Sequence, residues 1–394
     1  MAEQQDFAVV GLDVIDWDGP WMNRQQILTR LAKQHRVVYS RGSFFLWDRF
    51  TGPWRAAPLF SSFIEKHGVQ VHQRSKLQLR APRIPEVDRL VIKRIGRNLR
   101  KKALAGQSGP LVSYVFNPAF YRVGKAVNAD LLVYHAYDQF SAYPHATEDE
   151  VHYEKKLVQE ADLVIASSAT IANTLLEYCD RPVEVIPNGA DYERFAGKES
   201  GPGPVPEDLA AIAGPRITYF GNLTEKVDTD LIARLAEARP DWSFVFVGGV
   251  LINAGKGNEV LRRLEAMPNV HFLGHKTYDE VAGYYRHSDV NLLAYRMGEG
   301  LWSEGCSPLK LYEYLATGKP VVSARLQVVE DHEDVLAVAS TDEEWLAAIE
   351  DAVTNGGVGS KASRQAEARK NTWEVRVAAI EALIHKALQA KQNA

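Results

Sequence analysis

Short apolar runs alternate with longer amphipathic stretches along most of the chain. Residues 7–12 (FAVVGL) are apolar throughout, the pattern of a strand buried on both faces. Residues 23–35 follow with Ile27, Leu28 and Leu31 at helical spacing, and 36–39 (RVVY) read as a second strand. Strand, helix and strand within about 35 residues make a βαβ unit and predict a parallel sheet. Further strands are predicted at 111–116, 131–134, 163–167 and 183–186, with helical stretches between them. A second alternation starts with RITYF at 216–220 and adds strands at 243–247, 270–273, 289–293 and 320–323. Its helices are predicted near 228–238, 259–267, 278–287 and 308–317, and a last amphipathic helix spans about 372–390. Between the alternations, PNG at 187–189 and GPGPVP at 201–206 concentrate turn formers and suit a connection.

The expected architecture is α/β, with two doubly wound domains facing each other across a cleft where ligands meet the carboxyl ends of the strands. The expected divisions are 1–190, a linker at 191–215, 216–370, and a terminal helix at 371–394 that is a candidate to pack back on the first domain. A length of 394 residues agrees, because it exceeds what one core ordinarily serves. A net charge of −4 argues against a dedicated nucleic-acid binder. Two cysteines, Cys179 and Cys306, exclude a disulfide framework or a CxxC metal knuckle. The N-terminus reads as polar residues entering a strand, and no apolar run approaches the ~20 residues of a membrane span. The expectation is a cytoplasmic protein, or one held at most on the inner membrane surface.

The richest stretch is SPLKLYEYLATGKPVVS at 307–323. Ser307 suits a helix N-cap, Pro308 the first helical position and Gly318 the residue just past the end. The free N–H groups of the first turn, supplemented by Lys310, form a natural phosphate seat. Glu313 lies one turn deeper on the same face, where a carboxylate accepts hydroxyl hydrogen bonds from a ribose. The competing reading makes Lys310 and Glu313 an ordinary surface pair.

PLKLYEYLATGKPVV at 308–322, with PNGADYERF at 187–195, resembles the GT-B fold glycosyltransferases, especially the family-4-like group 1 enzymes that use nucleotide sugars. The order of features agrees over nearly the whole chain. The resemblance implies a donor site in the second domain for a UDP-, GDP- or dTDP-sugar, with Glu313 on the ribose and Ser307, Leu309 and Lys310 on the diphosphate. It implies no permanently bound cofactor and no catalytic metal. A glycan, glycolipid or small-molecule acceptor would bind the first domain, in the making of cell-surface or exopolysaccharide.

The chain also departs from that group. A second glutamate is usual eight residues before the ribose one, where this chain has Gly305, with Glu304 one residue off. After RITYF the group often carries Gly-Arg and then Lys. Here GNLTEK keeps Gly221, puts Asn222 in place of the arginine and brings Lys226 early, leaving Lys226 either a phosphate ligand or a solvated lysine. Arg296 and Arg24 are other candidates for the missing charge. Asp228-Thr229-Asp230 resembles the metal motif of the unrelated GT-A enzymes but stands where a helix begins, so capping is expected. VHFLGHKTY at 270–278 resembles the turn that clasps the nucleotide base, with Gly274 and His275 beside the base and Tyr278 as a lid.

In the first domain, DWDGPWMNR at 16–24 supplies Trp17, Asp18, Gly19, Trp21 and Arg24 as acceptor-side residues at a strand end, where tryptophans stack on sugars. VYHAYDQF at 133–140 supplies His135 and Asp138 as catalytic candidates: a base in an inverting enzyme, or in a retaining one a donor-orienting His135. Rival functions are a sugar-nucleotide 2-epimerase of the same fold and a non-catalytic sugar-nucleotide-binding partner protein. A nicotinamide oxidoreductase is disfavoured, since no strand precedes a GxGxxG fingerprint. Residues 72–102 hold eleven Lys and Arg against Glu86 and Asp88. With Leu90, Val91, Ile95 and Leu99 they read either as a basic amphipathic helix on an anionic membrane or as a solvated helix covering the first sheet.

Overall fold

The computed structural model describes residues 6–142, 146–197, 201, 203–252, 257–298 and 305–393, which form two compact units. The first comprises 1–187 with 376–394, and the second 188–375. In the first, strands β1 (Ala8–Leu12), β2 (Arg36–Ser40), β3 (Phe44–Phe45), β4 (Ser62–Lys66) and β5 (Val69–Gln73) precede β6 (Leu79–Arg80). β7 (Leu111–Val115), β8 (Leu131–Ala136), β9 (Leu163–Ala166) and β10 (Glu184–Val185) follow. Eight of them form one sheet in the order β10-β9-β8-β7-β1-β2-β5-β4, while β3 and β6 pair separately. β1 lies at the centre, parallel to both β7 and β2. That position explains its unbroken apolar run: Val9, Val10 and Leu12 are fully buried, with sheet on both sides and cover on both faces.

The antiparallel hairpin β4–β5 escapes the pattern of apolar runs. It turns at His67 and Gly68, both with positive φ, the geometry of a two-residue hairpin loop. β4 is an edge strand whose Ile64 and Glu65 face solvent, so it lacks the apolar signature of the central strands. The helix Pro85–Ala103 buries Ile92, Ile95 and Leu99 in the first core, whereas Leu90 is exposed. Its apolar side therefore covers the sheet, and its basic side is the solvated face. The last helix, Trp373–Gln392, attaches to this unit through Glu381 on His35 Nε2 at 2.9 Å and Lys391 on Asp162 at 2.9 Å, with the His385 ring edge-on to Phe7.

The second unit holds β11 (Arg216–Phe220), β12 (Ser243–Val247), β13 (Val270–Phe272), β14 (Val290–Leu293), β15 (Val321–Ser323) and β16 (Ala337–Val338). They form a wholly parallel sheet in the order β13-β12-β11-β14-β15-β16. The expected linker is not a free connection. Residues 187–215 include the short helices Tyr192–Ala196 and Glu207–Ala210, and Phe195, Leu209 and Ile212 are buried in the second core. Turn formers break regular structure locally, yet the few apolar residues between them still bury. Among the described residues no helix is long and apolar enough to cross a membrane.

Candidate functional site

In the second unit the site grows from the helix Lys310–Thr317 and the turn that follows β11. Gly318 ends the helix in the left-handed conformation at φ 73°, where a side chain would be strained. The helix start differs from expectation. Ser307 is not the cap: Leu309 already has helical torsions, Leu311 N donates to Pro308 O, and the Ser307 hydroxyl is buried without a hydrogen-bond partner. The Ser307 carbonyl instead accepts from Asn188 Nδ2 at 2.7 Å, so the PNG segment anchors the approach to the helix.

Lys310 reaches back over the β11 turn. Its Nζ donates to Tyr219 Oη at 2.8 Å, and a Cβ built on Gly221 would stand 3.0 Å from that nitrogen. Gly221 has φ 109°, so this turn needs glycine for its torsion as well as for space. Burial pulls the Lys310 ammonium down to about 7; the Glu313 charge opposes that and Lys226 adds to it. Lys226 Nζ lies 3.1 Å from Cys306 Sγ, bringing a second cation to the segment before the helix. Glu313 is 9% exposed and accepts from Tyr285 Oη at 2.9 Å. Burial raises its carboxyl from 4.5 to about 7, against the lowering effects of Tyr285 and Lys310. Two cations and a carboxyl acceptor one turn deeper thus frame a place suited to an anion joined to a diol. A polyanion there would return Lys310 to its charged form.

Other candidates are committed elsewhere. Asn222 Oδ1 accepts from Gly249 N at 2.9 Å and locks the turns after β11 and β12 together. Arg296 pairs with Asp230 at 2.6 Å and Asp228 at 3.7 Å, so its charge is already offset. Asp228 caps its helix by accepting from Leu231 N at 3.0 Å. Gly274 and His275 are exposed just past β13. Tyr278 is no loose lid, since its ring meets Phe195 and carries the Arg194 guanidinium at 4.4 Å. Glu304 lies outside the described residues. Among the described residues no three His, Cys, Asp or Glu side chains converge to hold a metal ion.

In the first unit the expected acceptor residues cluster where β1 ends. Arg24 is 1% exposed and pairs with the fully buried Asp13 at 3.1 Å, so it serves the interior of this unit rather than an incoming ligand. Trp17 is buried against Tyr39, at 4.9 Å between ring centroids. Asp18 accepts from Lys66 Nζ at 2.5 Å and Gly19 N closes a turn onto Asp16 O, leaving the half-buried Trp21 against the His67 ring. Burial lowers His135 to about 3. Burial also raises Tyr114 well above its usual range, and its hydroxyl shares a hydrogen bond with His135 Nδ1 at 2.7 Å. The imidazole is buried, neutral and engaged at Nδ1, a poor acceptor for a substrate proton. His135 is therefore unsuited to act as a base. Asp138 is half-buried, two residues past Ala136 at the β8 end, and one of its oxygens accepts from Gln139 N at 3.0 Å.

The sequence reading missed Tyr219, Tyr285, Asn188 and Glu154. Glu154 is fully buried, accepts from Tyr134 Oη at 2.6 Å and Ser141 N at 3.1 Å, and so braces the loop after Asp138. Its place between Val151 and Leu157 on an otherwise apolar stripe was the available signal.

Residues 214–355 match the family described as Glycosyl transferases group 1. TuaH of Bacillus subtilis (strain 168), named for teichuronic acid biosynthesis as a glycosyltransferase, is 26% identical over 228 residues. That match covers 54% of this chain and 55% of the relative, so the chain spans about half the length of the curated relative it matches. Among solved structures, Anabaena HepE in complex with UDP and glucose superposes with a TM-score of 0.68 at 18% identity, covering 97% of this chain and 99% of that one. Sucrose-phosphate synthase from Thermosynechococcus elongatus gives 0.70 at 15% identity, over 98% and 100%. At such identities the superpositions speak for the fold. Together with the order of both sheets, they show that the chain has the GT-B fold, and residues 214–355 of it match the glycosyl transferases group 1 family.

Proposed function

We propose that the chain transfers a hexosyl group from a nucleoside-diphosphate sugar to a hydroxyl of a glycan or lipid-linked acceptor in cell-surface polysaccharide synthesis. The observation that carries this reading is the pairing of Lys310 and Glu313 on one helix, one turn apart, with Lys226 and the Gly221 turn in front of them. The diphosphate would occupy the side of Lys310 and Lys226, and the ribose hydroxyls would donate to Glu313. As the bond from the sugar carbon to the diphosphate oxygen breaks, the electron pair passes to the diphosphate, and the two ammonium groups stabilise that charge. The acceptor hydroxyl forms the new bond and loses its proton; Asp138, half-buried just past β8, is the proposed recipient in the first unit. The turn bearing Trp21 is the proposed acceptor surface.

Two observations on relatives narrow the choice. HepE has been solved with UDP-glucose as well as with UDP and glucose, which favours a uridine donor over guanosine or thymidine ones. The name of TuaH favours a cell-surface polymer as product. Thermal-shift screening against UDP, GDP, dTDP and their sugars tests the donor assignment, since a bound ligand raises the midpoint. A single nucleotide series that stabilises the protein supports it; no shift with any of them refutes it. Product analysis without acceptor then separates transfer from 2-epimerisation, which would convert the donor alone.

A further inference from the structure

Five apolar side chains within residues 46–60 face solvent. Leu46, Trp47, Phe50, Leu59 and Phe60 are 45% to 74% exposed, and Leu77 is 65% exposed. Scattered exposed leucines are ordinary, whereas a joined group is not. These residues are joined. The rings of Phe45 and Trp47 stack at 4.8 Å, and Phe50 meets Trp54 edge-on at 5.6 Å. Lys76 N donates to Pro58 O at 2.9 Å, Leu77 N to Leu59 O at 3.4 Å, and β3 pairs with β6. Two segments thereby form one platform. They leave β2 and β5, which run parallel, so the platform stands at the carboxyl-terminal edge of the first unit's sheet.

The charge on this platform is predominantly positive. Residues 46–60 and 74–83 contain Arg49, Arg55, Arg74, Lys76, Arg80 and Arg83 against Asp48, and of these cations Arg80 is already paired with Asp88 at 3.0 Å. Asp48 is itself occupied, accepting from Phe45 N at 2.8 Å. Arg49 lies 5.2 Å from the Phe50 ring centre and Lys76 5.8 Å from that of Trp54, so the cations stand beside the apolar groups. Exposed aromatic and leucine side chains flanked by lysine and arginine match the layered chemistry of a bilayer surface, with anionic headgroups outside and acyl chains beneath. A second copy of this chain is a poor occupant, because a two-fold contact would bring like charges together. A soluble anionic polymer would meet the cations but leave three leucines in water.

We propose that this platform docks the first unit on an anionic lipid bilayer. Trp47, Phe60 and the leucines enter the interface, and Arg49, Arg55 and Lys76 meet the headgroups. The contact shares residues 74–83 with the segment expected at 72–102 but not its helix, since Pro85–Ala103 spends its apolar side on the sheet.

Co-sedimentation of the full chain with phosphatidylcholine vesicles, with and without phosphatidylglycerol, tests the proposal. Binding is expected only with the anionic lipid, and it should fall near 1 M salt, where the screening length is about 3 Å. The pair Trp47→Ser and Phe60→Ser should weaken partition by about tenfold or more. The triple change Arg49→Gln, Arg55→Gln and Lys76→Gln should weaken it about a hundredfold, at roughly fivefold per cation. Leu176→Ser, at a comparably exposed leucine away from the platform, should bind like the parent, and unchanged thermal midpoints verify that each variant folds. The proposal is overturned by no vesicle binding, by equal binding to neutral vesicles, or by platform variants that bind undiminished. Self-association abolished by the same variants, or capture of a soluble anionic glycan without vesicle binding, also overturns it.

Discussion

Replacing Glu313 with glutamine keeps the side chain's shape and its ability to accept from Tyr285 Oη, but removes its ionisation. The carboxyl titrates near 4.5 in the unfolded chain and near 7 in the folded one, raised by burial. Below the lower value both states are protonated and the favourable term is fully present. As pH rises through this window the unfolded chain releases its proton first, and stability falls by about 1.4 kcal/mol per pH unit. The loss is complete above the folded value and amounts to about 3 kcal/mol. Glu313→Gln should therefore be less sensitive to pH between 5 and 7 and, at pH 8, more stable than the parent by about that amount. Donor binding should move the other way. Hydroxyl bonds to a carboxylate are roughly twice as strong as bonds to a neutral amide oxygen, so two of them predict a loss of about 1–3 kcal/mol, or 5- to 150-fold in Kd. Urea denaturation at pH 5 and pH 8 measures the first effect, and calorimetric titration with UDP the second. Parallel pH profiles for parent and variant would refute the buried-carboxyl argument, and unchanged UDP affinity would refute the ribose role.

Two further variants probe the first unit. Arg24→Met leaves Asp13 buried without its cation and should cost about 3–5 kcal/mol in urea denaturation, far more than loss of a surface acceptor contact; a cost below ~1 kcal/mol would contradict the structural role. Asp138→Asn should leave UDP affinity unchanged in calorimetry while lowering transfer at least a hundredfold, within the usual range for a general base; near-parental turnover would remove Asp138 from the chemistry.

The features legible in the sequence were those written locally. The helix at 308–317 announced itself through Pro308 and Gly318, and the left-handed torsion at Gly318 is the physical reason that glycine stands there. The central strands announced themselves as apolar runs because β1 and β11 are flanked by strands on both sides. What stayed hidden depends on partners distant in the chain. The Ser307 carbonyl is held by Asn188, 119 residues away, and no local cap pattern reports that bond. Arg24 reads as a loop-side cation until folding places it on Asp13 in a buried pair. His135 resembles a catalytic base until Tyr114, on a neighbouring strand, occupies its Nδ1. Residues 187–215 resemble a linker because glycine and proline dominate locally, while burial of Phe195 and Leu209 is set by the sheet they cover.

Hydrogen–deuterium exchange with and without UDP tests most directly whether the second unit binds the donor through the helix and turn described above. The account predicts slower exchange concentrated at the β11 turn, 219–226, and along 305–313, with the ends of β1 and β8 unchanged. Protection at those first-unit strand ends without any at 305–313, or no protection under conditions where UDP raises the thermal midpoint, would contradict it.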